Sequence, residues 1–119
     1  MRRKLALRFG TMAAAATLAL GVAPAANAAF NLYQHDNYGG HYAVFNGSDV
    51  ELNNKYWAGT TQVMQNGASS MRNQTNSYVG LWDIGGSCTG SSYTAKPNSS
   101  DSDFSNNNFD NKASCVKFL

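Results

Sequence analysis

Two oxygen-rich stretches carry the chemistry of this chain: Asn66-Gly67-Ala68-Ser69-Ser70 and Asp110-Asn111-Lys112-Ala113-Ser114. In each, an Asx residue is followed by two variable positions and a Ser. One turn thus offers a backbone carbonyl, from Gly67 or Lys112, and a hydroxyl two residues later, from Ser69 or Ser114. A hard cation such as calcium takes about 6–8 oxygens, and a turn that presents a carbonyl and a hydroxyl on one side supplies two of them. Asn66, Asp110 and Asn111 read as braces that hold the turns through Asx-type hydrogen bonds.

The other reactive side chains point away from catalysis. His35 and His41 flank a Gly-rich hairpin with no Glu at zinc-site spacing, and neither a nucleophile elbow nor a paired-carboxylate cleft can be found. Cys88 as a nucleophile would need a free thiol outside the cell. The chain therefore reads as a non-enzyme.

Its compartment follows from the first 28 residues. Arg2, Arg3, Lys4 and Arg8 precede an apolar run, Phe9 to Val22, and Ala26-Asn27-Ala28 supplies small residues for signal peptidase. Residues 1–28 are expected to be a cleaved secretory leader, and the run is too short for the roughly 20 residues that span a bilayer. Export leaves 119 − 28 = 91 residues. The whole chain has 9 Lys plus Arg and 7 Asp plus Glu. Four of the basic residues lie in the leader, so the mature net charge is 5 − 7 = −2. That removes the basic footprint expected of a nucleic-acid binder and the polybasic patch of a membrane-surface binder.

About 90 residues form one small domain with a marginal core. An exported chain with an even cysteine count normally pairs them, so Cys88 and Cys115 are expected to form a disulfide. Apolar residues recur at period two in Phe30–Tyr33, Tyr42–Phe45, Tyr78–Trp82 and Cys115–Phe118, predicting short antiparallel strands. Ser48-Asp49-Val50-Glu51 fits a capping box, so at most one short helical turn is expected, over Ser48–Asn53. Lys96–Asn108 is almost wholly polar and reads as a long loop folded back by Phe104 and Phe109. The pattern predicts an all-β sandwich of two Greek keys.

The residues also carry a resemblance. Tyr33-Gln34-His35-Asp36-Asn37-Tyr38-Gly39-Gly40 is similar to the aromatic hairpin signature of βγ-crystallins, with Tyr38 packed over the hairpin, Tyr33 pointing the other way, and Gly40 in a conformation closed to side chains. The two Asx-Ser stretches resemble the calcium motif of the same superfamily. The chain as a whole is similar to small secreted actinobacterial peptidase inhibitors typified by a metalloproteinase inhibitor. The resemblance implies a single βγ-crystallin-like domain over 29–119, motif one about 30–75 and motif two about 76–119. It further implies weak calcium sites in which one motif's hairpin completes the other's turn. The better site would join His35 and Asp36 with the Lys112 carbonyl and Ser114 hydroxyl. The weaker would join Asp83 with the Gly67 carbonyl and Ser69 hydroxyl. Gln65 and Cys115 depart from the motif, and a Cys88–Cys115 bridge could stand in for the second hairpin's aromatic clamp.

Three roles follow as expectations for a secreted monomer: a calcium-stabilised binding module, an inhibitor of an extracellular metallo- or serine peptidase, or a carbohydrate- or cell-wall-binding or antifungal protein acting through exposed aromatics such as Tyr56 and Trp57. The exposed candidates for a reactive loop are Asn53–Gly59 and Lys96–Asn108.

Overall fold

The computed structural model describes residues 29–119; the expected leader, 1–28, lies outside the described residues. Seven strands form: β1 (Phe30–His35), β2 (Gly39–Phe45), β3 (Ser70–Asn73), β4 (Val79–Ile84), β5 (Thr89–Ala95), β6 (Ser99–Asp101) and β7 (Cys115–Phe118). They make two antiparallel sheets, ordered β2-β1-β3-β6 and β5-β4-β7.

Each half of the chain lends a segment to the other's sheet. β6 follows β5 in sequence but pairs with β3 in the first sheet. In return Asp49, from the first half, bridges Val116 of β7, each backbone amide donating to the other's carbonyl at 2.8 Å. This reciprocal exchange ties the two halves together through backbone pairing.

The strands foreseen from apolar alternation are present, and Phe30, Leu32, Val79, Leu81 and Val116 are completely buried between the sheets. β3, β5 and β6 carry too few apolar residues to show the period. β3 buries Met71 in the core and ends in a polar lock. Buried Asn73 donates its amide to the Ser77 and Lys96 carbonyls, each at 2.9 Å, and accepts from the Thr75 amide and hydroxyl. The polar run 96–108 is shorter as a loop than expected, because β6 and a 3-10 turn lie within it. Phe104 and Phe109 are buried as expected, stacked with Tyr93 at centroid distances of 4.8 and 5.9 Å.

In place of one helical turn there are, among the described residues, three single 3-10 turns, at Asp36–Tyr38, Leu52–Asn54 and Phe104–Asn107. The capping box does not form. Ser48 Oγ accepts instead from the Phe118 amide at 2.9 Å. The pairing of Asp49 with Val116 holds that segment extended, so tertiary pairing overrides the local signal.

Candidate functional site

Each Asx-x-x-Ser turn is anchored to the first strand of its own half. The Ser69 amide donates to the Tyr33 carbonyl and the Ser114 amide to the Trp82 carbonyl, both at 2.9 Å. The two turns then meet back to back, Asn66 N–H on the Ala113 carbonyl and Asn111 N–H on the Ala68 carbonyl, both at 3.0 Å.

Their side chains cross between the halves. Ser114 Oγ donates to Asn66 Oδ1 at 2.8 Å, and Ser69 Oγ approaches Asn111 Oδ1 at 3.5 Å. Asn66 and Asn111 therefore brace the opposite turn and not their own. Both hold positive φ, 58° and 57°, which Asn tolerates better than most residues and which carries each side chain toward its neighbour. A double-mutant cycle of Ser114→Ala with Asn66→Ala, read by urea unfolding, should return a coupling of about 1 kcal/mol. The same cycle on Ser69 and Asn111 should give clearly less, because that contact is longer.

The hairpins are clasped by different chemistry at equivalent places. Ser70 Oγ accepts from the Tyr38 amide at 3.1 Å and donates to the His35 carbonyl at 2.7 Å. In the second half the Ser70 position is Cys115 and the Tyr38 position is Cys88, and these two form the disulfide. Tyr38 and Cys88 share positive φ, 61° and 54°. Tyr33 does not point away from Tyr38: the rings meet edge to face at 5.6 Å across the irregular hairpin. Gly40 has φ +72°, and a Cβ there would sit 2.6 Å from the His35 ring.

Asp36 stands exposed on the first hairpin turn. The folded chain around it withdraws water and raises its carboxyl above the usual value, Asp103 and Asp110 raise it further, and His35 opposes them. Asp110 Oδ1 is buried without a hydrogen-bond partner. A groove of about 280 Å³ lies here, lined by Ser105, Asn108, Asp110 and Lys112. Of the expected better site, then, Lys112 lines this groove with Asp110, and Asp36 lies near enough to Asp110 to feel its charge. The His35 carbonyl is engaged by Ser70, and the Ser114 hydroxyl, fully buried, is turned to Asn66 with the Lys112 carbonyl at 3.1 Å as a second acceptor.

The expected weaker site is more dispersed. Asp83 lies in the β4 bulge, and no hydrogen bond among the described residues links it to Gly67 or Ser69. Gly67 donates its amide to the Met64 carbonyl at 3.0 Å. The carboxylate that reaches the second hairpin is that of Glu51. A Cβ on Gly85 would sit 2.5 Å from Glu51 Oε1 and 2.9 Å from the Ser114 carbonyl, so the missing side chain makes room for Glu51.

Paired backbone bonds show the equivalence. Gly86 to the Val50 carbonyl at 2.7 Å mirrors Asn37 to the Ser102 carbonyl at 2.8 Å. Leu52 to the Ser114 carbonyl at 3.1 Å mirrors Phe104 to the Ser69 carbonyl at 2.8 Å. Glu51 thus occupies the place of Asp103. Sequence reasoning missed both acids, although each directly precedes a completely buried apolar residue, Leu52 or Phe104. Among the described residues no three His, Cys, Asp or Glu side chains gather to hold a metal. An ion at the first hairpin would meet at most a pair of carboxylates, Asp36 and Asp110, and would depend otherwise on carbonyl and hydroxyl oxygens.

A third feature is the loop after the Leu52–Asn54 turn. Tyr56 and Val63 form an isolated antiparallel bridge, Trp57 N–H donates to the Gln62 carbonyl at 3.0 Å, and Met64 N–H to the Lys55 carbonyl at 2.9 Å. Trp57 is 2% exposed and Met64 1%, so both root the loop in the core. Ala58 N–H clips it to the Tyr42 carbonyl on edge strand β2 at 2.9 Å. Tyr56 remains 56% exposed beside Tyr42 and Val44, along a groove of about 390 Å³. Of the aromatic pair expected to meet carbohydrate, Trp57 is thus unavailable: its indole is the root of the loop.

The sequence pattern of peptidase inhibitor family I36 matches residues 21–94. This chain belongs to peptidase inhibitor family I36. No curated protein matches it. Among solved structures the I36 chain is similar to a βγ-crystallin from Ciona intestinalis, with 20% identity and a TM-score of 0.64, over 76% of this chain and 99% of that one. It is also similar to a βγ-crystallin domain from Flavobacterium johnsoniae, with 21% identity and a TM-score of 0.60, over 76% and 92%. A structure bearing on the evolution of the eye-lens βγ-crystallin domain fold aligns with a TM-score of 0.68 at 17% identity, over 84% and 92%. At these identities the likeness concerns the fold, which for this I36 member is that of a βγ-crystallin domain.

Proposed function

We propose that this protein is exported through residues 1–28 and inhibits an extracellular peptidase. The observation that carries this reading is the I36 match over residues 21–94. The geometry adds a means. An inhibitor gains affinity when its contact loop is already held in the bound shape, because less freedom is lost on docking. The loop from Tyr56 to Val63 meets that need, rooted by Trp57 and clipped to β2. Of the two candidate loops, Asn53–Gly59 is the more available, since Lys96–Asn108 is taken up by β6 and by buried Phe104.

Stoichiometric titration of thermolysin-like and subtilisin-like peptidases checks the reading. One class should lose activity in proportion to added protein; full activity of both at excess inhibitor sinks it for those classes. Tyr56→Ala should weaken inhibition while moving stability by no more than about 0.5 kcal/mol, as for an ordinary surface change.

A second reading, weak calcium binding, is favoured by the partnerless Asp110 Oδ1 next to Asp36. An ion there would be held by Asp36, Asp110 and the Lys112 carbonyl, and would offset the repulsion among the Asp36, Asp103 and Asp110 carboxylates. So few carboxylates fit the affinity of extracellular modules, about 10⁻⁴ to 10⁻³ M. Because folding raises the Asp36 pKa, its contribution favours the fold below the unfolded value of about 3.9 and is lost as pH rises through the folded value. At neutral pH the ionised carboxylate opposes folding of the ion-free protein. Millimolar calcium should therefore raise the melting temperature at neutral pH but not at acid pH. Asp36→Asn should abolish the rise without destabilising the ion-free form. A melting temperature indifferent to calcium removes this reading and leaves inhibition standing.

A further inference from the structure

The chain contains the dipeptide Asn-Gly twice, at Asn46-Gly47 and Asn66-Gly67, and the fold treats the two in opposite ways. An Asn before Gly is chemically labile. The backbone nitrogen of the Gly attacks the Asn side-chain carbonyl carbon, a new C–N bond closes a succinimide, and the side-chain nitrogen leaves as ammonia. Water then opens the ring at either carbonyl, giving Asp or isoaspartate. The net change is an amide and water converted to a carboxylic acid and ammonia, with no oxidant or catalyst. Two conditions govern the rate in a folded protein. The Gly amide must be free to leave its hydrogen bond and lose its proton, and the Asn side chain must be free to swing over it.

At Asn46-Gly47 both conditions are met. The two residues are exposed in the bend that follows β2. A Cβ on Gly47 would find nothing within 4 Å. Among the described residues neither the Gly47 amide nor the Asn46 side chain has a hydrogen-bond partner.

At Asn66-Gly67 neither is met. The Gly67 amide donates to the Met64 carbonyl at 3.0 Å, Asn66 N–H to the Ala113 carbonyl at 3.0 Å, and Asn66 Oδ1 accepts the Ser114 hydroxyl at 2.8 Å. Gly67 is also closely packed: a Cβ there would lie 3.2 Å from the Met64 carbonyl oxygen and 3.4 Å from the Trp57 ring, where one on Gly47 would meet nothing. Ring closure there must first break the clasp between the two halves.

We infer that Asn46 is the site of spontaneous deamidation in this protein, through a succinimide with Gly47, and that Asn66 is protected by the clasp. Breaking three hydrogen bonds of ordinary net strength slows a reaction on the order of 100-fold, which sets the expected ratio of the two rates. The consequence is local. An isoaspartate at position 46 inserts an extra carbon into the main chain two residues before Ser48, which receives the Phe118 amide, and three before Asp49, which pairs with Val116. The crossing segment that ties the first half to β7 should loosen with age.

The test is to hold the folded, disulfide-bonded protein in mildly alkaline buffer and follow the peptides carrying Asn46 and Asn66 by mass spectrometry. The Asn46 peptide should gain one mass unit, as a mixture of isoaspartate and Asp, while the Asn66 peptide does not. In chemically unfolded protein the two should react at similar rates, and Gly47→Ala should slow the first. Amide exchange at Asp49 and Val116 should quicken in the deamidated fraction. Equal rates at the two sites in the folded protein, or an Asn46 rate that Gly47→Ala leaves unchanged, would overturn the inference.

Discussion

Replacing both cysteines by Ala should lower the stability of this domain by about 3.5 kcal/mol, the entropy-model value for a loop closed across the 27-residue separation of Cys88 and Cys115. For a domain of this size the melting temperature should fall by roughly 15–25 °C. The loss is large because the bridge does in the second half what a hydrogen-bonded serine does in the first. Ser70 joins the Tyr38 amide to the His35 carbonyl, while Cys115 joins Cys88 covalently. The equivalence gives the prediction a sharper form. Cys88→Ala with Cys115→Ser puts a hydroxyl where Ser70 has one, and should recover about 1 kcal/mol relative to Cys88→Ala with Cys115→Ala. Thermal melts of the two double variants decide it; identical melting temperatures would mean that a hydroxyl at position 115 does not do for the second hairpin what Ser70 does for the first.

Trp57→Ala should cost about 3–5 kcal/mol, the usual range for emptying a buried aromatic site. The ring is 2% exposed and packs against Gly67, so its loss opens a cavity behind the first Asx-Ser turn and beneath the Tyr56–Val63 bridge at once. The effect on inhibition should exceed the effect of Tyr56→Ala. Removing Tyr56 deletes one contact, whereas removing Trp57 frees the whole loop and restores the ordering cost that the root had removed. Urea unfolding beside peptidase titration separates the two: Tyr56→Ala should change only the second measurement, Trp57→Ala both. A Trp57→Ala protein that unfolds like the parent and inhibits equally would remove the loop from the proposed mechanism.

The strands that were legible, β1, β2, β4 and β7, are those with an apolar residue at alternate positions facing the other sheet. β3, β5 and β6 were not, because Ser70, Asn73 and the Ser99–Asp101 segment are kept in the ladder by backbone pairing and side-chain hydrogen bonds, which leave no hydropathy period. The capping-box signal at Ser48–Glu51 is a true local preference that a distant strand outweighs. Phe104 and Phe109 were legible as anchors, since two aromatics in a polar run have little reason to be there except burial.

By itself the amino-acid order determined the class of the domain, the disulfide partners, the doubled hairpin-and-turn plan, and the oxygen-rich turns at Asn66–Ser70 and Asp110–Ser114. Those properties reside in composition, spacing and period, which are local. Only the tertiary structure decided that Asn66 braces Ser114 across the halves, that Glu51 and Asp103 bring their carboxylates to the hairpins, that Trp57 is a buried root and Tyr56 exposed, and that Asn46 is open where Asn66 is locked. Each depends on which segment of one half crosses to the other, and that exchange is settled by burial and backbone pairing between residues far apart in the chain.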